Sequence, residues 1–146
     1  MADIRHRVGI QAPQEMVYEA LAAVEGLSGW WVRDVRGDAS PGGKLGFYLE
    51  GGKLMVAMEV TELIPGLRVA WRCVDGPAEW IDTHLSFDLT AAPEETVVMF
   101  THADWREPVE FMHHCSTRWA QYLIGLKVGL ENGKAFPEVA KISSWS

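Results

Sequence analysis

The chain has 146 residues, 48% hydrophobic and 23% charged, which is enough to bury one core and unlike a disordered, collagenous or coiled-coil sequence. Its formal net charge is -7 and its 13 basic residues are scattered, so it lacks the clustered lysines and arginines that nucleic acid or an anionic membrane surface requires. Cys73 and Cys115 form no paired motif, the start MADIRHRVGIQAP has charges where a leader would be apolar, and no window is long enough to span a membrane; the expectation is a cytoplasmic protein with two free thiols.

Residues 4–12, IRHRVGIQA, alternate Ile4, His6, Val8 and Ile10 against Arg5, Arg7 and Gly9, the pattern of a half-buried strand. Pro13 suits a helix start, and Met16, Val17, Ala20, Leu21 and Val24 recur at helical spacing up to Gly26, predicting a short amphipathic helix. GLSGWWVR follows, with Trp30 and Trp31 at a joint between elements. The next stretch is broken by Gly-containing turns into segments short enough only for strands. These are predicted over 44–50, 53–64 and 67–74, with Gly51-Gly52 and Pro65-Gly66 as turns.

Residues 80–90, WIDTHLSFDLT, have the clearest period of two in the chain. Ile81, Thr83, Leu85, Phe87 and Leu89 face one way; Asp82, His84, Ser86 and Asp88 face the other. AAPE reads as a loop, and residues 96–105, TVVMFTHADW, run back. If Thr90 pairs with Glu95, Thr83 lies opposite His102, which puts that histidine on the apolar face beside a hydroxyl. A long helix follows, with Pro108 in its first turn and Gly133 at its end. At about 100° per residue, Phe111, Cys115, Trp119, Tyr122, Leu123, Leu126 and Leu130 fall on one stripe. Ile124 and Val128 lie off that stripe and hint at a homodimer. The tail FPEVAKISSWS carries less of a pattern.

The residues offer few routes to chemistry. His102 could exchange a proton with a ligand, or be a buried imidazole satisfied by Thr83 and the backbone. His113, His114 and Cys115 point about 100° apart around a helix and cannot converge on one ion, so no metal is expected. No serine sits in a nucleophile elbow and no phosphate loop is present. Asp104, Glu107 and Glu59 read as solvated acids, while Arg33, Arg106 and Arg118 read as surface cations, each able to hold a ligand carboxylate.

Five stretches carry a resemblance over nearly the whole chain: IQAPQEMVYEAL, WW followed by SPGGKLGF, EVTELIPGLRVAW, THLSFDLTAAPEETVVMFTHADW and RWAQYLIGLKVGLENG. They resemble the START and birch-pollen-allergen (SRPBCC) superfamily, in the AHSA-like branch related to the activator of a heat-shock-protein ATPase. The resemblance implies an α+β helix-grip fold over a single domain, 1–146. A curved antiparallel sheet of six to seven strands would wrap a long C-terminal helix, with short helices after the first strand. It also implies a cavity between sheet and helix, with Trp30 and Trp31 near it, one as wall and one as packing. Members of the superfamily include lipid carriers, hormone receptors, polyketide cyclases and chaperone co-regulators, and they share no catalytic set.

The expected function is binding of a hydrophobic or aromatic small molecule, without a cofactor. The expected wall is Trp31, Phe47, Trp71, Leu85, Phe100, Phe111, Cys115 and Trp119, with Thr83 and His102 as its polar pair. Two alternatives stay open: a cyclase, dehydratase or isomerase using His102 as acid or base, and a chaperone co-regulator or other protein-interaction module.

Overall fold

A computed structural model describes residues 1–133; the tail stretch FPEVAKISSWS lies outside the described residues. The elements run β1 (Ala2–Ile10), α1 (Gln14–Ala22), α2 (Val24–Ser28), β2 (Asp34–Gly37), β3 (Lys44–Tyr48), β4 (Leu54–Ile64), β5 (Arg68–Asp75), a 3-10 turn (Ala78–Trp80), β6 (His84–Ala92), β7 (Glu95–Trp105) and α3 (Glu110–Asn132). The strands form one antiparallel sheet in the order β1-β7-β6-β5-β4-β3-β2. This is the α+β helix-grip architecture: a curved seven-stranded sheet, a long helix lying in its concave face, and two short helices after the first strand.

Alternation sets the faces. Ile4, Val8 and Ile10 of β1, Val56, Met58 and Val60 of β4, and Leu85, Phe87 and Leu89 of β6 are all buried. Register shifts in the β4–β5 pairing leave Val74 of β5 and Thr61 of β4 as extra, bulged residues, and a bulge bends its strand and sharpens the local twist. The outer face is laced with ion pairs. Arg68 bridges Glu62 and Asp88, each at 2.7 Å, and Arg72 bridges Glu59 at 3.3 Å and Asp82 at 2.7 Å.

Three expectations are corrected. The helix read through to Gly26 is broken at Ala23, whose φ of -94° and ψ of 147° are extended; α2 then folds back against α1. Gly26 makes that crossing possible, because a Cβ there would stand 2.2 Å from the Glu19 carbonyl oxygen and 2.6 Å from the Ala20 Cα. The β6–β7 register is displaced by two residues: Ala92 faces Glu95, Phe87 faces Phe100 and Leu85 faces His102. The turn is therefore Pro93-Glu94, with Glu94 at a φ of 66°. Finally, Pro108 precedes α3 rather than lying in its first turn, since Val109 is the N-cap. Gly133 does end that helix, in the left-handed conformation at a φ of 69°, where a residue without a Cβ fits best.

Candidate ligand site

The interior of the grip is a continuous aromatic cluster. Trp31 packs on Phe47 (4.3 Å between ring centroids) and on Trp119 (4.9 Å). Trp71 meets Phe87 at 5.3 Å, Phe87 meets Phe100 at 5.1 Å, and Phe100 returns to Trp119 at 4.5 Å. The structure thus brings Trp31, Phe47, Trp71, Phe100 and Trp119 together, with Leu85 fully buried behind them. Cys115 is buried on the inner side of α3, and Phe111, half-buried, reaches Trp105 at 6.1 Å.

His102 sits inside this cluster with no solvent exposure, as does Thr83. The Thr83 hydroxyl donates to the Trp80 carbonyl at 2.6 Å, so at 2.8 Å from the His102 ring it accepts, and His102 Nε2–H is the donor. Trp119 Nε1–H donates to His102 Nδ1 at 3.3 Å. Both ring nitrogens are engaged, and burial pushes the His102 pKa down to about 3. Thr83 reaches the ring from a position diagonal to it across β6 and β7, not from directly opposite. Nearby, the Trp80 indole nitrogen turns to the Cys115 thiol, while that of Trp105 is buried with no hydrogen-bond partner among the described residues. Their rings flank His102 at 4.7 and 5.0 Å. Burial also pushes the Cys115 thiol up to about 11, against a smaller downward pull from the Trp80 indole.

A cavity of about 250 Å³ opens elsewhere, between the α1–α2 pair and the C-terminal half of α3. Met16 and Ala20 line it from α1, and Glu25, Gly26 and Gly29 line it from α2 and its end. Gly125, Leu126, Gly129, Leu130 and Gly133 line it from α3, and Trp30 closes the inner side. The glycines of α3 recur every fourth residue and so share one face; the absence of their side chains leaves the space. None of the ten residues expected as ligand contacts lines this groove. Trp30, buried, separates it from the interior: the ring lies edge-on to Phe87 at 6.1 Å and beside Trp31 at 6.4 Å. Its Nε1–H donates at 2.7 Å to the Ala20 carbonyl, one of the last carbonyls of α1, which has no partner within the helix. Of the two adjacent tryptophans, one therefore lines an opening and pins a helix end, and the other packs the core.

Apart from Trp30, placed near a cavity by the resemblance, the groove residues are not among the ligand contacts expected from the sequence. The one available signal was GLKVGLENG, in which glycine at every fourth position removes side chains from one helix face. Four of the other candidate residues are engaged elsewhere. Glu59 pairs with Arg72 and Asp104 with His84; Arg106 donates to the Ile81 and Ala78 carbonyls; Arg118 donates to Gln121 and Tyr122. Among the described residues no group of three or more His, Cys, Asp or Glu side chains could hold a metal ion, and no helix is long and apolar enough to cross a membrane.

A bulged antiparallel sheet closed on one long helix, whose far end is propped by two short helices, defines the class as a helix-grip domain. Within that class a family model described as "Activator of Hsp90 ATPase homolog 1-like protein" matches residues 11–131, and the chain belongs to this family, AHSA1. Among solved structures it is similar to the Aha1 dimer from Colwellia psychrerythraea, at 40% identity and a TM-score of 0.82, covering 92% of this chain and 99% of that one. It shares its fold with SSP2350 from Staphylococcus saprophyticus (22% identity, TM-score 0.76, 92% and 95% coverage). It also shares its fold with CalU16 from Micromonospora echinospora (17% identity, TM-score 0.79, 97% and 72% coverage). No curated protein matches the chain.

Proposed function

We propose that this protein binds a small apolar molecule, neutral or cationic, in the groove between α1–α2 and α3. The observation that carries the reading is the groove itself: an opening of about 250 Å³, lined by glycines, leucines and a tryptophan, with Glu25 as the one acidic or basic side chain among its described lining residues. That volume lies just below the range of about 300–1,000 Å³ usual for drug-sized ligands, so it suits one or two aromatic rings or a medium acyl chain. Among the described residues no cation lines the groove, and Glu25 at its rim repels anions, which favours an uncharged ligand over a carboxylate.

The test is a fluorescence titration with N-phenylnaphthylamine, an uncharged two-ring probe, beside its anionic counterpart anilinonaphthalene sulfonate. The neutral probe should saturate and the anion should bind at least about tenfold more weakly, or about 1.4 kcal/mol. Gly129→Leu, which fills the groove, should abolish the signal while leaving the cooperative melt intact. An unaltered titration in that variant would refute the site.

A second reading places the ligand deeper, against the wall of Trp31, Phe47, Trp71, Thr83, Leu85, Phe100, His102, Phe111, Cys115 and Trp119. The unmet indole donor of Trp105 favours it, because a ligand oxygen would satisfy it and an orphan buried donor costs about 1–3 kcal/mol. His102 has less support as an acid or base, since both ring nitrogens are occupied and the ring is held neutral. The family description points to a chaperone partner, a protein-interaction reading that a groove of this size and apolarity supports less than a small molecule. The dimeric state of the Colwellia relative, together with the half-exposed Ile124 on the outer side of α3, supports a homodimer.

A further inference from the structure

The helix ends around the groove share one sign. Ala20 lies in the last turn of α1, while Gly129 and Gly133 are in the last turn and the C-cap of α3, and all three line the space. A helix C-terminus carries about half a negative charge, which a lysine, arginine or histidine in the last turn commonly offsets. Neither α1 nor α3 has one there; Lys127, a turn earlier, is held by the Gly9 carbonyl and Glu131. α2 is a single turn with Gly26 near its start and Gly29 as its C-cap, both lining the groove, so its own dipole largely cancels. Glu25 adds a full negative charge at the rim, and Gly125, Gly129 and Gly133 leave no side chain between a ligand and the α3 backbone. Trp30 supplies an aromatic wall, the surface on which organic cations gain most. Its indole N–H, the one side-chain N–H among the described lining residues, is committed to the Ala20 carbonyl, which leaves an anion no side-chain donor.

We propose that the groove selects an organic cation: an ammonium group, primary to quaternary, attached to one aromatic ring or a short aliphatic body. The body packs among Met16, Leu126, Leu130 and Trp30, and the charge lies toward Glu25 and the ends of α1 and α3. This rests on the groove being the ligand site, and it names the class of ligand that the site prefers.

The experiment compares benzyltrimethylammonium with neopentylbenzene, its uncharged carbon isostere, by amide chemical shifts on the full chain. The cation should saturate with shifts centred on Gly26, Gly29 and Gly129. Its affinity should be at least about tenfold that of the isostere, because two helix ends, a carboxylate and an indole each add a modest share. Glu25→Gln and Asn132→Lys, both at exposed positions, should each weaken the cation about threefold and leave the isostere unchanged. An isostere that binds the groove as tightly as the cation would overturn the inference and leave the groove an apolar ligand site. An equal loss of both affinities in Glu25→Gln would assign that residue to packing and overturn selection by charge. Absence of groove shifts with both compounds would overturn it as well. Saturation by N-phenylnaphthylamine in the same sample would then keep the ligand site, and failure of all three would remove both.

Discussion

His102 illustrates how a polar side chain is made safe inside an aromatic core. Its two nitrogens are matched to one donor and one acceptor, Trp119 and Thr83, and the Thr83 hydroxyl is itself oriented by the Trp80 carbonyl. Burial lowers its pKa from 6.5 to about 3, so the unfolded chain takes up a proton that the folded chain refuses. Stability from this group is complete above the unfolded value and falls by about 1.4 kcal/mol per pH unit below it, until the folded value is reached. Urea unfolding between about pH 7 and pH 5 should show a loss of about 2 kcal/mol. His102→Gln should be less stable at neutral pH and lack that slope. Carboxylates do not obscure the window: Glu131, held low by the Gln11 amide and by Lys127, loses its contribution only in more acid solution. Thr83→Val removes the link between ring and carbonyl and should cost about 1–3 kcal/mol, with Thr83→Ser recovering most of it in the same assay. The pairing of these two side chains was legible as a shared face, because side-chain direction in a strand has period two. The register slip of two residues preserved that face while changing the direct partner.

At the scale of elements, glycine has opposite meanings on facing helices. Gly26 is where α2 crosses the backbone of α1, and Gly26→Ala should cost about 1–3 kcal/mol because backbone atoms must move apart. Gly129 lines the groove, so Gly129→Ala, which adds a single methyl there, should gain about 0.5–1 kcal/mol from helix propensity. Thermal melts of the two variants should move in opposite directions. Chain order, the sheet and the long helix were legible because their periods are long and consistent. The break at Ala23 was not: alanine is a strong helix former, and the break comes from tertiary packing of α2 on α1. The β6–β7 turn was misplaced for a related reason, since Glu94 adopts a left-handed conformation that its residue type does not announce.

On the scale of the whole molecule, the chain belongs to a family whose shared sheet and helix do not determine what is bound. The aromatic residues drew attention to the interior, and the structure shows them packed ring against ring. The groove was illegible because absent side chains make it, and a pattern of hydrophobic residues does not register an absence. A homodimer predicts that the protein elutes at the mass of two chains in light-scattering chromatography and that Ile124→Glu elutes at the mass of one. The most direct test of the central claim is to map N-phenylnaphthylamine onto the protein by amide chemical shifts during a titration. A ligand seated in the groove predicts saturation with a dissociation constant of about 10 μM, equivalent to about 7 kcal/mol, and shifts centred on Gly26, Gly29, Trp30 and Gly129. Shifts centred instead on Trp80, His102 and Trp105, or no saturable change at all, would contradict it.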